Sequence, residues 1–131
     1  MDRNEEIRQW LHLAEEDLSI AENCANYMHP TPDERICNLC QAVVERYLKV
    51  FLLVNNVIFK YNHDIVTLWK QCEAIMPEFN RFASHITILA DYAVFPRYPN
   101  ELQLSESDMR LALQYAKDIR AFVEPLVKGG N

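Results

Sequence analysis

Between positions 4 and 28 the apolar residues Ile7, Leu11, Ala14, Leu18, Ala21, Ala25 and Met28 recur at steps of three and four. That spacing marks one face of an α-helix. A second stripe, Leu13, Ile20, Cys24 and Tyr27, lies beside the first on a helical wheel. Together they make this predicted helix apolar over about half its circumference, wider than one buried face requires. Asp17 falls between the stripes and is expected to reach a basic partner at the edge of the core. His29-Pro30 ends the helix, because proline lacks an N–H and restricts the residue before it. Thr31-Pro32-Asp33-Glu34 then reads as a new start, with Thr31 as N-cap, Pro32 in the first helical position and Glu34 closing a capping box.

The second predicted helix runs to near Val54 and is apolar nearly all round, which makes it the central one. Asn38, Gln41, Glu45 and Lys49 form its one narrow polar stripe, facing either water or a cleft. Glu45 and Lys49 stand in the favoured order for a helical ion pair, worth about 0.2–0.5 kcal/mol on an exposed surface. The connector after it keeps Val57, Ile58 and Phe59 and is expected to pack down. Asn62 reads as the cap of a short third helix with Asp64 in its first turn and Ile65, Leu68, Trp69, Cys72 and Ile75 or Met76 inward. Pro77 separates a fourth helix with core positions Phe79, Phe82, Ala83, Ile86, Leu89, Ala90 and Ala93, while Arg81, His85, Ile88 and Tyr92 form a stripe on its opposite face. Pro96 and Pro99 stop that helix and leave a stiff, irregular segment. Ser105 or Ser107 caps the last helix, whose core face is Met109, Ala112, Leu113, Ala116, Ile119, Val123 and Leu126; Pro125 is expected to kink or fray its final turn, before Gly129-Gly130. No stretch alternates as a strand does. The expected fold is all-α, a single domain over 1–131 built as an antiparallel bundle of four main helices plus one short helix.

Composition narrows what such a bundle can do. Two glycines leave no glycine-rich phosphate loop. The longest apolar run, Val50 to Val54, is too short for a membrane span, and the first residues lack the order of a secretory signal, so a cytoplasmic location is expected. A net charge of −6 opposes coating of nucleic acid, which requires a basic surface, and leaves room only for a local basic pocket. Cys24, Cys37, Cys40 and Cys72 all sit in apolar periodic segments and read as reduced, buried thiols. Cys37 and Cys40 have metal-ligand spacing, but no second pair follows to complete four ligands, so neither metal nor cofactor is expected.

Other candidates for chemistry are sparse. Arg8 with His12 and Arg81 with His85 stand one turn apart and read most simply as solvated pairs, although either suits a phosphate. Glu15-Glu16-Asp17 is a solvated face plus one inward residue. Arg97-Tyr98-Pro99 is the more distinctive element: prolines fix its backbone, and an arginine held beside aromatics suits phosphate or base recognition. The plainer reading is an arginine bonding carbonyls at helix ends.

Four pieces in order resemble the HEPN family, the "higher eukaryotes and prokaryotes nucleotide-binding" domains. They are Trp10 with Ala14, Asp17 and Ala21; the run from Ile36 to Lys49; His63-Asp64-Ile65 with Leu68; and Tyr92-Ala93-Val94 followed by Arg97-Tyr98-Pro99. The resemblance implies a helical bundle that usually dimerises and often accompanies a small nucleotidyltransferase. It also implies kinship with metal-independent ribonucleases, frequently toxins neutralised by that partner. Their active-site motif is an arginine, four to six residues, then a histidine, near the start of the last long helix. Arg97 stands in that region, yet no histidine follows it; Arg81 and His85 have only three residues between them and stand a helix too early. The reading is therefore a non-catalytic HEPN-type homodimer that binds a nucleotide, a nucleic-acid end or a nucleotidyltransferase partner without cutting RNA. Its ligand site is expected at Arg97, Tyr98 and Tyr92, continuing through Arg81 and His85, with Gln41, Glu45 and Lys49 lining the same cleft. The alternatives are a protein-interaction module without a nucleotide ligand, and a divergent ribonuclease of a toxin–antitoxin pair using His85 or Tyr98 in place of the missing histidine.

Overall fold

The computed structural model describes residues 2–59, 64–93 and 104–128. These form α1 (Arg3–Tyr27), α2 (Asp33–Val54), α3 (Ile65–Ile75), α4 (Ala83–Ala93) and α5 (Glu106–Lys128), with a 3-10 segment, Pro77–Phe82, leading into α4. Among the described residues there is no strand, and the fold is the all-α bundle expected.

Asp2 caps α1 by accepting the Glu5 N–H at 2.8 Å. The two apolar stripes of α1 then part company. Ala14, Leu18, Ala21 and Ala25 are buried, whereas Leu13, Ile20 and Tyr27 remain exposed, as does Met28 just past the helix. Asp17 does turn inward, to an ion pair with Arg46 of α2.

α2 is the hub, in contact with α1, α3, α4 and α5. Its start corrects the sequence reading. Pro32, not Thr31, is the N-cap, and no side chain closes the end. The Thr31 hydroxyl instead donates to the Met28 carbonyl at 3.1 Å, closing the turn that leaves α1, so the Thr31–Glu34 capping box does not form. At the far end Asn56 takes a positive φ of 63°, a conformation asparagine tolerates, and the chain folds back so that the Val57 N–H reaches the Leu52 carbonyl at 2.9 Å. Val57 and Phe59 pack down as expected, but Ile58 is exposed.

Asp64 is the N-cap of α3 rather than a first-turn residue, accepting from the Val66 N–H at 3.0 Å and the Thr67 hydroxyl at 2.7 Å; Asn62 lies outside the described residues. Met76 packs inward while Ile75 is exposed. The Trp69 indole donates to the Phe79 carbonyl at 2.8 Å and ties α3 to the 3-10 segment. The expected fourth helix is thus two pieces of different pitch, and Ala83, at the junction, is exposed rather than buried. Phe79 anchors the centre, edge-on to Phe51 at 4.8 Å and to Phe122 at 5.1 Å; such pairs are worth about 0.5–1.5 kcal/mol beyond their area. Ser105 caps α5, and the helix runs on through Pro125 to Lys128. Lys128 and Lys117 bind it to Glu15 and Glu22 of α1.

Candidate functional site

The stripe expected to face outward from α4 lies instead against α5. Reading from the 3-10 segment up α4, and down α5, the Arg81 guanidinium sits 4.9 Å from the Phe122 ring centre. His85 Nε2 is 3.0 Å from Asp118 Oδ2, with its ring tilted over Tyr115 at 4.0 Å. The Tyr92 hydroxyl donates to Asp108 Oδ1 at 3.3 Å. Tyr92 is buried, and His85 and Ile88 are half-buried. The periodicity of one helix cannot reveal cover supplied by another; hence the correction.

Asp118 also accepts from the Gln114 amide at 2.7 Å, on the oxygen that does not face His85. Nδ1 of the His85 ring is buried without a hydrogen-bond partner. His85 thus has one ring nitrogen against Asp118 and the other buried.

Arg81 is different. Its side chain is exposed, its guanidinium carbon lies 4.9 Å from the Phe122 ring centre, and among the described residues no carboxylate pairs with it. A planar, always charged fork without a carboxylate partner among the described residues suits a phosphate or carboxylate.

Asp108, which the sequence reading missed, joins both sides of the 94–103 stretch. Its Oδ1 takes the Tyr92 hydroxyl, and its Oδ2 takes the Ser105 N–H at 2.8 Å and hydroxyl at 2.9 Å. The Ser105 backbone N–H, foremost, holds the Asp108 carboxyl below the usual carboxylate range. Burial, with Asp108 adding to it, pushes the Tyr92 hydroxyl far up, so it stays a neutral donor. Ser105 and Asp108 have capping-box spacing, a signal present in the sequence. Asp118, Tyr115 and Phe122 gave no comparable sign. Arg97 and Tyr98 lie outside the described residues, as does His63.

Gln41, Glu45 and Lys49 belong elsewhere. Lys49 is 2 % exposed and Glu45 9 %, with Nζ 2.9 Å from Oε2. The ammonium also lies 5.1 Å from the Trp10 ring and 5.5 Å from Phe59. These two residues therefore face neither water nor a cleft, and no described contact joins them to the Arg81–His85 group. Gln41, half-buried, stands one turn away from Glu45.

Two further features carry no unpaired charge. A groove of about 650 Å³ runs along the outer side of α5, but its cations are neutralised locally, Arg120 by Glu124 at 2.8 Å and Lys117 by Glu22 at 3.6 Å. Cys37 and Cys40 are buried, and burial pushes both thiols up to about 12, so the Cys-x-x-Cys spacing is core packing. Among the described residues no group of three His, Cys, Asp or Glu could hold a metal, and no helix is long and apolar enough to cross a membrane.

A family model described as HEPN domain matches the chain over residues 7–126. No curated protein and no solved structure matches the chain.

Proposed function

The chain belongs to the HEPN domain family, and we propose that it is a non-catalytic, homodimeric member that binds a nucleotide or an RNA end through arginine contacts to phosphate. The observation that carries this reading is Arg81, exposed, placed over the Phe122 ring and facing no carboxylate among the described residues. Arg97 and Tyr98 are the second contact, one offering a guanidinium fork and the other a stacking face. Binding without cleavage is supported by the absence of any histidine after Arg97 and by the way His85 is spent on Asp118. A small nucleotidyltransferase is the natural protein partner, as the family resemblance implies.

A second reading, a protein-interaction module with no nucleotide ligand, is favoured by the exposed apolar residues of α1. Fluorescence anisotropy at low salt with labelled adenine and guanine nucleotides and a labelled 12-mer RNA separates the two. Arg81→Ala and Arg97→Ala are each expected to weaken binding about tenfold, the loss typical of a hydrogen bond to a charged group, with unchanged melting temperature and intact RNA. No binding by the parent protein, or binding indifferent to both substitutions, would remove the phosphate site.

A further inference from the structure

Where ion pairs join α1 to α5 the charges balance, but hydrogen-bonding capacity is left over. Lys128 meets Glu15 and Glu124 at 3.1 and 2.9 Å, and Lys117 meets Glu22 at 3.6 Å. Arg120, between those two lysines on α5, gives only its Nε to Glu124, at 2.8 Å. Its Nη1 and Nη2, a planar fork that matches a carboxylate or phosphate, bond nothing among the described residues. Tyr47 of α2 is 0 % exposed, and its hydroxyl is buried with no hydrogen-bond partner. The charges acting on that hydroxyl are those of Arg120, Glu124, Glu15 and Lys128, which places it under the seam between α1 and α5. Burial, foremost, pushes it up to about 12, so it stays a neutral donor. A buried hydroxyl left unsatisfied costs free energy. This one lies beside an arginine whose fork is equally unspent.

The space around Arg120 narrows the class of ligand. Arg120 lines both the groove of about 650 Å³ on the outer side of α5 and a second hollow of about 350 Å³ toward α1. Pockets for small organic ligands commonly measure about 300–1,000 Å³. Along the larger one, Ala121, Pro125 and the aliphatic stems of Lys117 and Lys128 offer apolar contact. Glu22 and Glu124 border the same space, so each added negative charge on a ligand meets their repulsion. A single charge on an apolar body is favoured over a phosphate chain. Arg120 and Phe122, two positions apart, project to different sides of α5, which separates this place from Arg81.

We propose that the α1–α5 seam binds a small organic monocarboxylate, its head held by the Nη fork of Arg120 and the Tyr47 hydroxyl and its apolar body lying against Ala121 and Pro125. The head reaches the covered hydroxyl as the Arg120 side chain, 42 % exposed and shared by both hollows, shifts to admit it. Phenylbutyrate is the probe, titrated into the isotope-labelled full chain and followed by NMR. It is expected to move the Arg120 Nε–H and the amides of residues 117–128 saturably, at millimolar concentration. The neutral amide of the same acid, and inorganic phosphate, are each expected to bind roughly tenfold more weakly. Arg120→Lys keeps the charge but loses the fork and is expected to cost about tenfold in affinity. Tyr47→Phe is expected to cost about fivefold, with a melting temperature unchanged or raised because an unsatisfied hydroxyl is gone. Absence of saturable shifts at these positions overturns the site. Equal binding of the amide or of phosphate overturns the carboxylate assignment. Undiminished affinity in Tyr47→Phe, with a lowered melting temperature, removes the tyrosine from the site and makes its hydroxyl structural.

Discussion

Lys49→Met probes the energetics of a charge placed where the helical pattern suggested water. On an exposed helix the Glu45–Lys49 pair would be worth about 0.2–0.5 kcal/mol. Here both residues are more than nine-tenths buried and the ammonium is held 2.9 Å from Glu45, between Trp10 and Phe59. Removing one partner of a buried pair costs about 3–5 kcal/mol, and each ring face adds about 0.5–2 kcal/mol. Methionine replaces most of the apolar stem, which returns part of that loss. The net expectation is about 3 kcal/mol, or a melting temperature lower by roughly 10 °C for a chain of this length. Urea and thermal denaturation followed by tryptophan fluorescence and far-ultraviolet circular dichroism measure it directly. Arg8→Met, which breaks the exposed 3.4 Å pair with Glu5, is the control and should stay within about 0.5 kcal/mol. If Lys49→Met behaves like that control, the buried-charge argument is wrong.

Two other outcomes follow from the titrating groups. Asp64, Asp108 and Glu124 are held below the usual carboxylate range, chiefly by the Thr67 hydroxyl, the Ser105 backbone N–H and the Lys128 ammonium respectively. A carboxyl lowered by folding contributes stability above its unfolded pKa of about 4 and loses it as pH falls through the folded value. The melting temperature should therefore hold from pH 7 to about 5 and fall below about 4. Asp108→Asn should flatten that fall by less than about 1 kcal/mol because the group is largely solvated; an unaltered acid limb would count against its role. In the native protein a thiol reagent followed by mass spectrometry should modify Cys24 alone within minutes, since Cys37, Cys40 and Cys72 are buried and their thiols pushed up. A second rapid adduct would contradict the burial described.

What the sequence revealed and what it hid divide along one physical line. Ala14, Leu18, Ala21 and Ala25 on α1, or Met109, Ala112, Ala116 and Ile119 on α5, announce their buried faces because periodicity is local to a helix. Cover from a second helix leaves no such trace. Tyr92 and His85 looked outward until α5 supplied Asp108, Tyr115 and Asp118. Lys49 looked solvated until Trp10 and Phe59, distant in sequence, closed over it. Caps were misread for a smaller reason: Thr31 offers one hydroxyl to two neighbouring turns, and the preceding one took it. The exposed stripe of α1 was legible as surplus apolar surface, but the flanking Arg46 becomes visible only once α2 lies beside it.

The central place of α2 has a consequence for how the domain comes apart. α1, α3, α4 and α5 all lean on it, and α1 and α5 touch each other mainly through surface charges. The outer helices also meet one another, Phe79 and Phe82 standing edge-on to Phe122 of α5, but each of them packs on α2 as well. Cooperativity is thus built into the topology: amide protons along α2 exchange only when the whole bundle opens, and a lesion at any one face of that helix is felt by the helices on the others.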